Sequence, residues 1–428
     1  MHLSDSVLHP TGYANQSRLL CNYLSNAGHQ VFTIGHNHAG MPITNAKLED
    51  GEELNYHVLG TDGSPYACNA IPEYHKRYSP QVFTILLDTF MLMQAGITSW
   101  NIPAKSVFWY PSDGGWFPKF CEFVLKKVDY PVAMAKFGQD QAKRLFDIKA
   151  EYIPHGVLTD RFYPFTYEQK VRTRLKYSNQ LFSFKQWMES ENGRVVNKTM
   201  FVPAIIDLTS KFILGCVSRN QGRKNLPETI KAFCKFAEDK QDVVLIMHSD
   251  PVDGAAVCDL QALADKWGQG HKVYWTGMRV SNPYTTSRMT ELYNLFDAFF
   301  LTTSGEGFGI PFVEAMSCGI PVIATDFTTT KEIVTDNNAG YGIKLMGEEE
   351  RPYPAEGKLR NGTITGTWEV DRGFADFYDS VDKLNKAYNN REAFARMGEN
   401  GRQAAVTHYD FNTVVGPRWH SFIQEITK

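Results

Sequence analysis

"DAFFLTTSGEGFGIPFVEAM", Asp297 to Met316, decides how the chain is read. Its apolar start reads as a buried strand. Gly305, Gly307 and Gly309 then occupy every second position, and Pro311 suits the first turn of a helix. Strand, glycine loop and helix start together make an anion site, because free backbone N–H groups and the helix dipole face one point. By itself such a loop is no more than a sharp turn with close helix–strand packing. The two carboxylates change the reading. Glu306 and Glu314 lie eight residues apart and would repel a phosphate standing alone. An ionised carboxylate only accepts hydrogen bonds, so it suits sugar hydroxyls. The loop therefore fits a ligand with phosphates in the middle and a hydroxylated ring on either side, which is the shape of a nucleotide sugar.

A diphosphate needs cations. "SRNQGRKNLPETI", Ser218 to Ile230, follows the apolar run "FILGCV" and precedes a helical pattern from about Leu226 to Glu238. Arg219, Arg223 and Lys224 thus sit at the carboxyl end of a strand, as the glutamate loop does. Arginine forks onto phosphate oxygens and lysine acts as a point charge.

Outward from these two loops the same alternation recurs. "QVFTIG", "VFTILLD", "SVFWYPSD", "YPVAMAKFG" and "AEYIPHG" read as strands of a first half, separated by helical patterns. "DVVLIMHS", "KVYWTG", "PVIAT" and "GYGIKL" continue the series in the second. Alternating strands and helices imply parallel sheets with right-handed crossovers. The expected organisation is a domain over 1–160, a linker or insertion over 161–211, a nucleotide-sugar domain over 212–405 and a C-terminal helix over 406–428 that packs back on the first domain. Only "MHLSDSVL" precedes the first glycine turn, so the opening strand must be very short. The segment 177–210 reads as polar and helix-like without a strand, and "GEEERPYPAEGKLRNGTITG" reads as a loop. "HNH" at His36–His38 reads as a loop after the second strand.

The totals fit this picture. With 428 residues, 43% hydrophobic and 21% charged, the chain is globular and long enough for two α/β domains. A net charge of −3 gives no overall basic field for nucleic acid. A local patch at Lys126, Lys127, Lys143 and Arg144 is the exception. The seven cysteines form no CxxC pair and read as reduced core thiols. The N-terminus lacks a signal-peptide pattern, and the longest apolar stretch is interrupted by Asp88. The expectation is a cytoplasmic protein, at most peripheral at a membrane.

Arg219 and Lys224, the block "EGFGIPFVEAMSCGIPVIATD" and "YIPHGVLTDRFYP" together resemble the retaining glycosyltransferases of group 1, family 4, which have the GT-B fold. "TGYANQSRLL" and "FWYPSDGGWFP" are also similar to that group. The resemblance covers most of the chain and is strongest from Phe212 to Ile333. It implies two Rossmann-like parallel-sheet domains facing across a cleft. It implies transfer of a hexosyl or pentosyl group from a nucleotide-sugar donor to an acceptor hydroxyl, with retention and without a divalent metal. Arg219 and Lys224 would hold the donor diphosphate, and Glu306 the donor-sugar hydroxyls. Gly307, Phe308 and Gly309 would offer backbone amides, Glu314 would hold the ribose, and Gly277 to Val280, with Met278, would line the base. Gly12 would approach the donor phosphate, and Asp113 would lie beside the reacting sugar. Trp109, Tyr110 and Trp116 surround Asp113 and are candidates to stack on an acceptor.

No cofactor is expected, the nucleotide sugar being a co-substrate. In this reading the leaving diphosphate takes the acceptor's proton; Glu306 as covalent nucleophile is the alternative. A nucleotide-sugar epimerase, a phosphorylase and a non-catalytic sugar-nucleotide binding module are the rival functions. A glycan, a lipid-linked glycan, a protein or a modified nucleic-acid base each remains open as acceptor.

Overall fold

A strand of three residues can hold the middle of a sheet if its neighbours satisfy it on both sides. In the computed structural model, β1 (His2–Ser4) does so, running parallel to β2 (Phe32–Ala39) and to β5 (Val82–Ile85). His2 is buried, with Nδ1 2.8 Å from Thr84 Oγ1 and Nε2 2.8 Å from Ser17 Oγ. Burial, helped by the N-terminal charge, holds its pKa down at about 3, so the ring stays neutral. The structure describes residues 1–48, 51, 53–97, 102–191, 194–253, 255–256, 258–278, 283–353 and 368–428.

The chain divides into two units. The first comprises residues 1–158, 368–370 and 407–428. After β1 come α1 (Gly12–Asn26), β2, β3 (Ile43–Thr44), β4 (His57–Thr61), α2 (Ala70–Tyr78) and β5. They are followed by α3 (Thr89–Gln94), β6 (Lys105–Tyr110), α4 (Lys119–Lys127), β7 (Tyr130–Ala133), α5 (Lys136–Phe146) and β8 (Glu151–Tyr152). The sheet order is β3-β4-β2-β1-β5-β6-β7-β8, parallel except for β3. Its core gathers Leu3, Ile34, Phe83, Ile85 and Phe108 from the strands with Leu92 and Val124 from the helices. His36 and His38 fall within β2, not in a loop after it, and His36 Nε2 lies 2.8 Å from Asp5 Oδ1.

The second unit comprises residues 159–367 and 371–406. It opens with α6 (Tyr167–Tyr177), which a capping box at Thr166 and Gln169 starts. The segment expected to be helical then forms a hairpin instead. β9 (Leu181–Glu191) pairs antiparallel with β10 (Arg194–Ala204) and joins the sheet where Phe182 pairs Trp275. Leu181 and Phe184 are buried at its base, while Lys185, Glu189 and Ser190 are exposed. The hairpin extends a sheet edge, so its apolar alternation is faint and its sequence reads as polar.

The Rossmann-like body follows: β11 (Phe212–Val217), α7 (Leu226–Phe236), β12 (Val243–His248), α8 (Leu260–Lys266), β13 (Val273–Trp275) and α9 (Thr286–Leu295). It continues with β14 (Ala298–Leu301), α10 (Ile310–Ser317), β15 (Val322–Thr325) and β16 (Gly340–Ile343). The order is β10-β9-β13-β12-β11-β14-β15-β16. The stretch read as a loop begins inside β17 (Leu345–Tyr353), which pairs with β18 (Trp368–Ala375) in a separate ribbon; residues 354–367 lie outside the described residues. α11 (Phe377–Asn389) and α12 (Arg391–His408) come next.

The last helix, α13 (Gly416–Ile426), belongs to the first unit. Its Trp419 is fully buried, edge-on to Trp109 at 4.9 Å between ring centroids. Just before it, Val157 N donates to Tyr409 O and Phe411 N donates to Val157 O, at 2.9 Å each. None of the cysteines is disulfide-bonded, and all but Cys68 and Cys258 are buried. No helix among the described residues is long and apolar enough to cross a membrane.

Candidate donor site

β11 and β14 are parallel neighbours, yet β12 and β13 lie on one side of β11 while β15 and β16 follow β14 on the other. The sheet order therefore reverses between them. In open α/β sheets ligands bind outside the carboxyl ends of the strands at such a switch point. The loops leaving β11 and β14 carry the cations and Glu306, and Glu314 follows on α10.

The structure brings Lys224 and Glu306 together. Lys224 Nζ donates to both Glu306 carboxylate oxygens at 2.7 Å. Arg223 Nη1 reaches Glu306 Oε2 at 3.1 Å and the Gly305 carbonyl at 2.5 Å. Burial pushes the Glu306 carboxyl up, but the charges of Lys224 and Arg223 and the lysine hydrogen bond outweigh it and bring it down to about 2. Glu306 is thus ionised and almost fully buried. Arg223 has a larger part here than its place beside Lys224 in the sequence suggested.

Arg219 goes elsewhere. Its Nε and Nη2 donate to the two carboxylate oxygens of Asp253, at 2.6 and 3.0 Å. Asp253 lies in the loop after β12 and is almost buried, whereas the Arg219 side chain is 58% exposed. Burial raises the Asp253 pKa, but the Arg219 hydrogen bond and the Ala255 N–H outweigh it and leave it below the usual range. The fork fixes Arg219 at the same strand ends while leaving much of its surface open.

The glutamate loop is a tight turn, buried except at the half-buried Gly307. Gly309 has φ +94°, and a Cβ there would stand 2.6 Å from the Phe312 ring. No side chain caps the start of α10. Behind the loop, Thr328 Oγ1 accepts from Glu306 N at 3.0 Å and lies 3.1 Å from Glu306 O, and Thr329 Oγ1 donates to Phe308 O at 2.8 Å. Thr328 takes φ +52°, which is strained for a β-branched residue. These threonines stand in "DFTTTKE", directly after β15; a polar triplet at a strand's carboxyl end was the signal available in the sequence. β18 adds a further support, Gly373 N donating to Ser304 O at 3.1 Å.

Glu314 stands on α10, held by a 2.6 Å hydrogen bond from Tyr293 O–H to Oε2. Burial raises its pKa to about 7, which the Tyr293 bond only partly offsets. Gly277 follows β13 with φ +72°, closely backed by Phe182 of the hairpin, and Met278 is half-buried beside it. Arg279 and Val280 lie outside the described residues.

In the first unit, Gly12 opens α1 behind the N-cap Thr11, and Asp113 lies half-buried in the loop after β6. Two of the three aromatic candidates are corrected. Trp109 is buried, donating Nε1–H to Ile153 O at 2.8 Å, and Tyr110 is buried with its hydroxyl 3.0 Å from Gly138 O. Both faces of β6 are covered, so neither ring has a face to offer a ligand. Trp116 is 49% exposed. His155 packs edge-on to Trp109 at 4.2 Å, and burial takes its pKa down to about 3.

A family model described as glycosyl transferases group 1 matches residues 203–346, which include both loops. This segment is similar to the group 1 glycosyl transferases. The sucrose synthase of Melioribacter roseus is 24% identical over 254 residues, covering 56% of this chain and 29% of that protein. The chain therefore spans about a third of the length of this curated relative. The solved sucrose-phosphate synthase from Thermosynechococcus elongatus superposes with a TM-score of 0.70 at 13% identity, over 99% of this chain and 96% of that one. Alr3699/HepE of Anabaena, solved with UDP and glucose, gives a TM-score of 0.66 at 14% identity, over 99% and 98% of the two chains. The chain thus has the GT-B fold, two Rossmann-like α/β units.

Proposed function

We propose that this glycosyl transferase moves a sugar from a nucleotide-diphosphate sugar to an acceptor hydroxyl, with retention of configuration and without a divalent metal. The observation that carries the reading is the buried Lys224–Glu306–Arg223 cluster at the switch point of the second sheet. It offers two cations and an ionised acceptor on one spot. The Anabaena neighbour solved with UDP and glucose supports a nucleotide sugar as ligand class.

In this mechanism the ion pair is a resting arrangement. Lys224 turns its charge to the donor diphosphate, Arg219 adds a second cation, and Glu306 accepts hydrogen bonds from donor-sugar hydroxyls. Breaking the glycosyl–phosphate bond builds negative charge on the diphosphate, and preplaced cations lower that barrier without reorganising. The amides of Gly307, Phe308 and Gly309 and the α10 dipole add to this field. Glu314 receives the ribose hydroxyls, and Gly277 and Met278 flank the base. The departing diphosphate oxygen takes the proton of the attacking hydroxyl.

Lys224→Ala and Glu306→Ala should each lower transfer by about 100-fold or more, the scale of losing one preorganised electrostatic partner. Product analysis with and without an acceptor, on variants whose melting shows them folded, makes the test. Turnover within a few-fold of the parent in either variant would overturn the site.

A further inference from the structure

The second sheet has another edge, away from the donor loops. β11 begins there at Phe212, and Asp297 and Pro321 stand directly before β14 and β15. A cavity of about 110 Å³ opens at these strand starts. Phe212, Phe296 and Phe394, all buried, give it apolar walls, and Lys170, Asp297 and Arg391 give it charge. Drug-sized ligands take pockets of roughly 300 Å³ or more, so this one suits an occupant of a few heavy atoms. Its walls are fixed. α6 is tied to α9 through Glu291, which accepts from Lys176 Nζ at 2.7 Å and from Tyr177 O–H at 3.2 Å. α12 lies directly on the turn before β15, where a Cβ at Gly398 would stand 2.2 Å from the Gly319 carbonyl oxygen. Arg391, at the start of α12, donates from Nη2 to Asp242 at 2.9 Å and from Nε to the Tyr388 carbonyl at 3.3 Å. Its guanidinium lies 5.0 Å from the centre of the Phe212 ring, and Nη1 takes no part in those two bonds.

Lys170 is not matched in this way. It shares a face of α6 with Arg174, one turn on. The carboxylate that attracts it, Asp297, is already engaged, with Oδ1 accepting from Arg174 Nη2 and Oδ2 from Ile213 N, at 2.8 Å each. Lys170 is half-buried, and burial lowers its pKa despite the attraction of Asp297. Lys170, Arg174 and Arg391 thus meet Asp297 and Asp242, which leaves one positive charge beside an apolar cavity. A single excess charge selects a monoanion, and the aromatic walls select one with an apolar body. Inorganic phosphate carries more charge at neutral pH and offers no apolar surface. We propose that this cavity binds a small carboxylate, its carboxyl group on Lys170 and Arg391 and its hydrocarbon chain against the three phenylalanines. The site lies within the second unit and does not depend on the sugar-transfer reading.

Saturation-transfer-difference NMR on the full chain with butyrate tests it. The expected result is a saturable signal that sodium chloride at equal ionic strength does not remove. Lys170→Met keeps the stem and removes the charge, and should weaken binding by about tenfold or more, the loss of one charge-assisted hydrogen bond. Ala395→Leu, at an exposed position on the cavity's lining, should fill the space and abolish the signal with every charge in place. Both positions reach the surface, so the variants should melt as the parent does, which separates lost binding from lost fold. No saturable signal in the parent, a signal unchanged in Lys170→Met or one retained in Ala395→Leu would overturn the proposal. So would inorganic phosphate displacing butyrate at concentrations below those at which butyrate itself binds, which would make this a phosphate site.

Discussion

Glu306 and Glu314 share a side chain and differ in what surrounds it. At Glu306 two cations overcome burial, and the carboxyl is held down at about 2. At Glu314 a single hydrogen bond from Tyr293 does not, and the carboxyl rises to about 7. The two leave opposite marks on stability. Glu306 is depressed in the folded state, so its contribution is complete above the unfolded value of 4.5 and is lost as pH falls towards 2. Glu314 is raised, so between 4.5 and about 7 the folded chain holds a proton that the unfolded chain has released. Stability therefore falls as pH rises through that window and levels off above it. Glu314→Gln should remove this part of the slope. Urea midpoints of parent and variant at pH 5 and pH 7.5 make the comparison, and an equal fall in both would sink the assignment. If the ionised carboxylate receives the ribose, donor affinity in the parent should strengthen through the same window.

Among the elements, α13 shows how a sequence-distant segment completes a unit. Trp419 is fully enclosed and meets Trp109, whose ring also abuts His155. Trp419→Ala should cost about 3–5 kcal/mol, the usual result of emptying a large buried aromatic site. A chemical-denaturation loss under about 1 kcal/mol would show that the helix packs only loosely. The alternation of strand and helix was legible because parallel strands covered on both faces are unbroken apolar runs: all six residues of β11 and all six of β12 are buried. The hairpin β9–β10 escaped because, among its described side chains, buried Leu181 and Phe184 are followed by exposed Lys185, Glu189 and Ser190 and the apolar Met200 is exposed too, so no clear alternation marks it. At the site, the charges and their strand-end positions could be read from residue type and order. The pairing of Arg219 with Asp253 could not, since it depends on the loops after β11 and β12 meeting in space. Trp109 and Tyr110 look like ligand aromatics beside Asp113, yet they are strand residues. Successive strand residues point to opposite sides of a sheet, and here both sides are packed.

For the molecule as a whole, the distribution of charge bears on how a donor is held. The chain is slightly acidic, at −3 overall, yet it gathers Arg219, Arg223 and Lys224 in six consecutive residues beside one sheet's switch point. A nucleotide sugar brings its diphosphate charge to that spot. If these cations and the α10 start neutralise it, a divalent ion has no charge left to balance, and binding should be as strong in EDTA as in magnesium or manganese. A thermal-shift screen of UDP-, GDP- and ADP-sugars in EDTA reads this directly. A donor at 100 times its Kd stabilises the state that binds it by about 2.7 kcal/mol. The two units need not melt together, so the shift belongs to the transition of the unit that carries the donor loops. The expected outcome is one nucleotide class that raises that transition equally with and without metal, with full transfer activity in EDTA. A shift or a turnover that returns only when manganese or magnesium is added would show that the protein's own cations do not suffice, and the metal-free mechanism would fall while the GT-B fold stood unchanged.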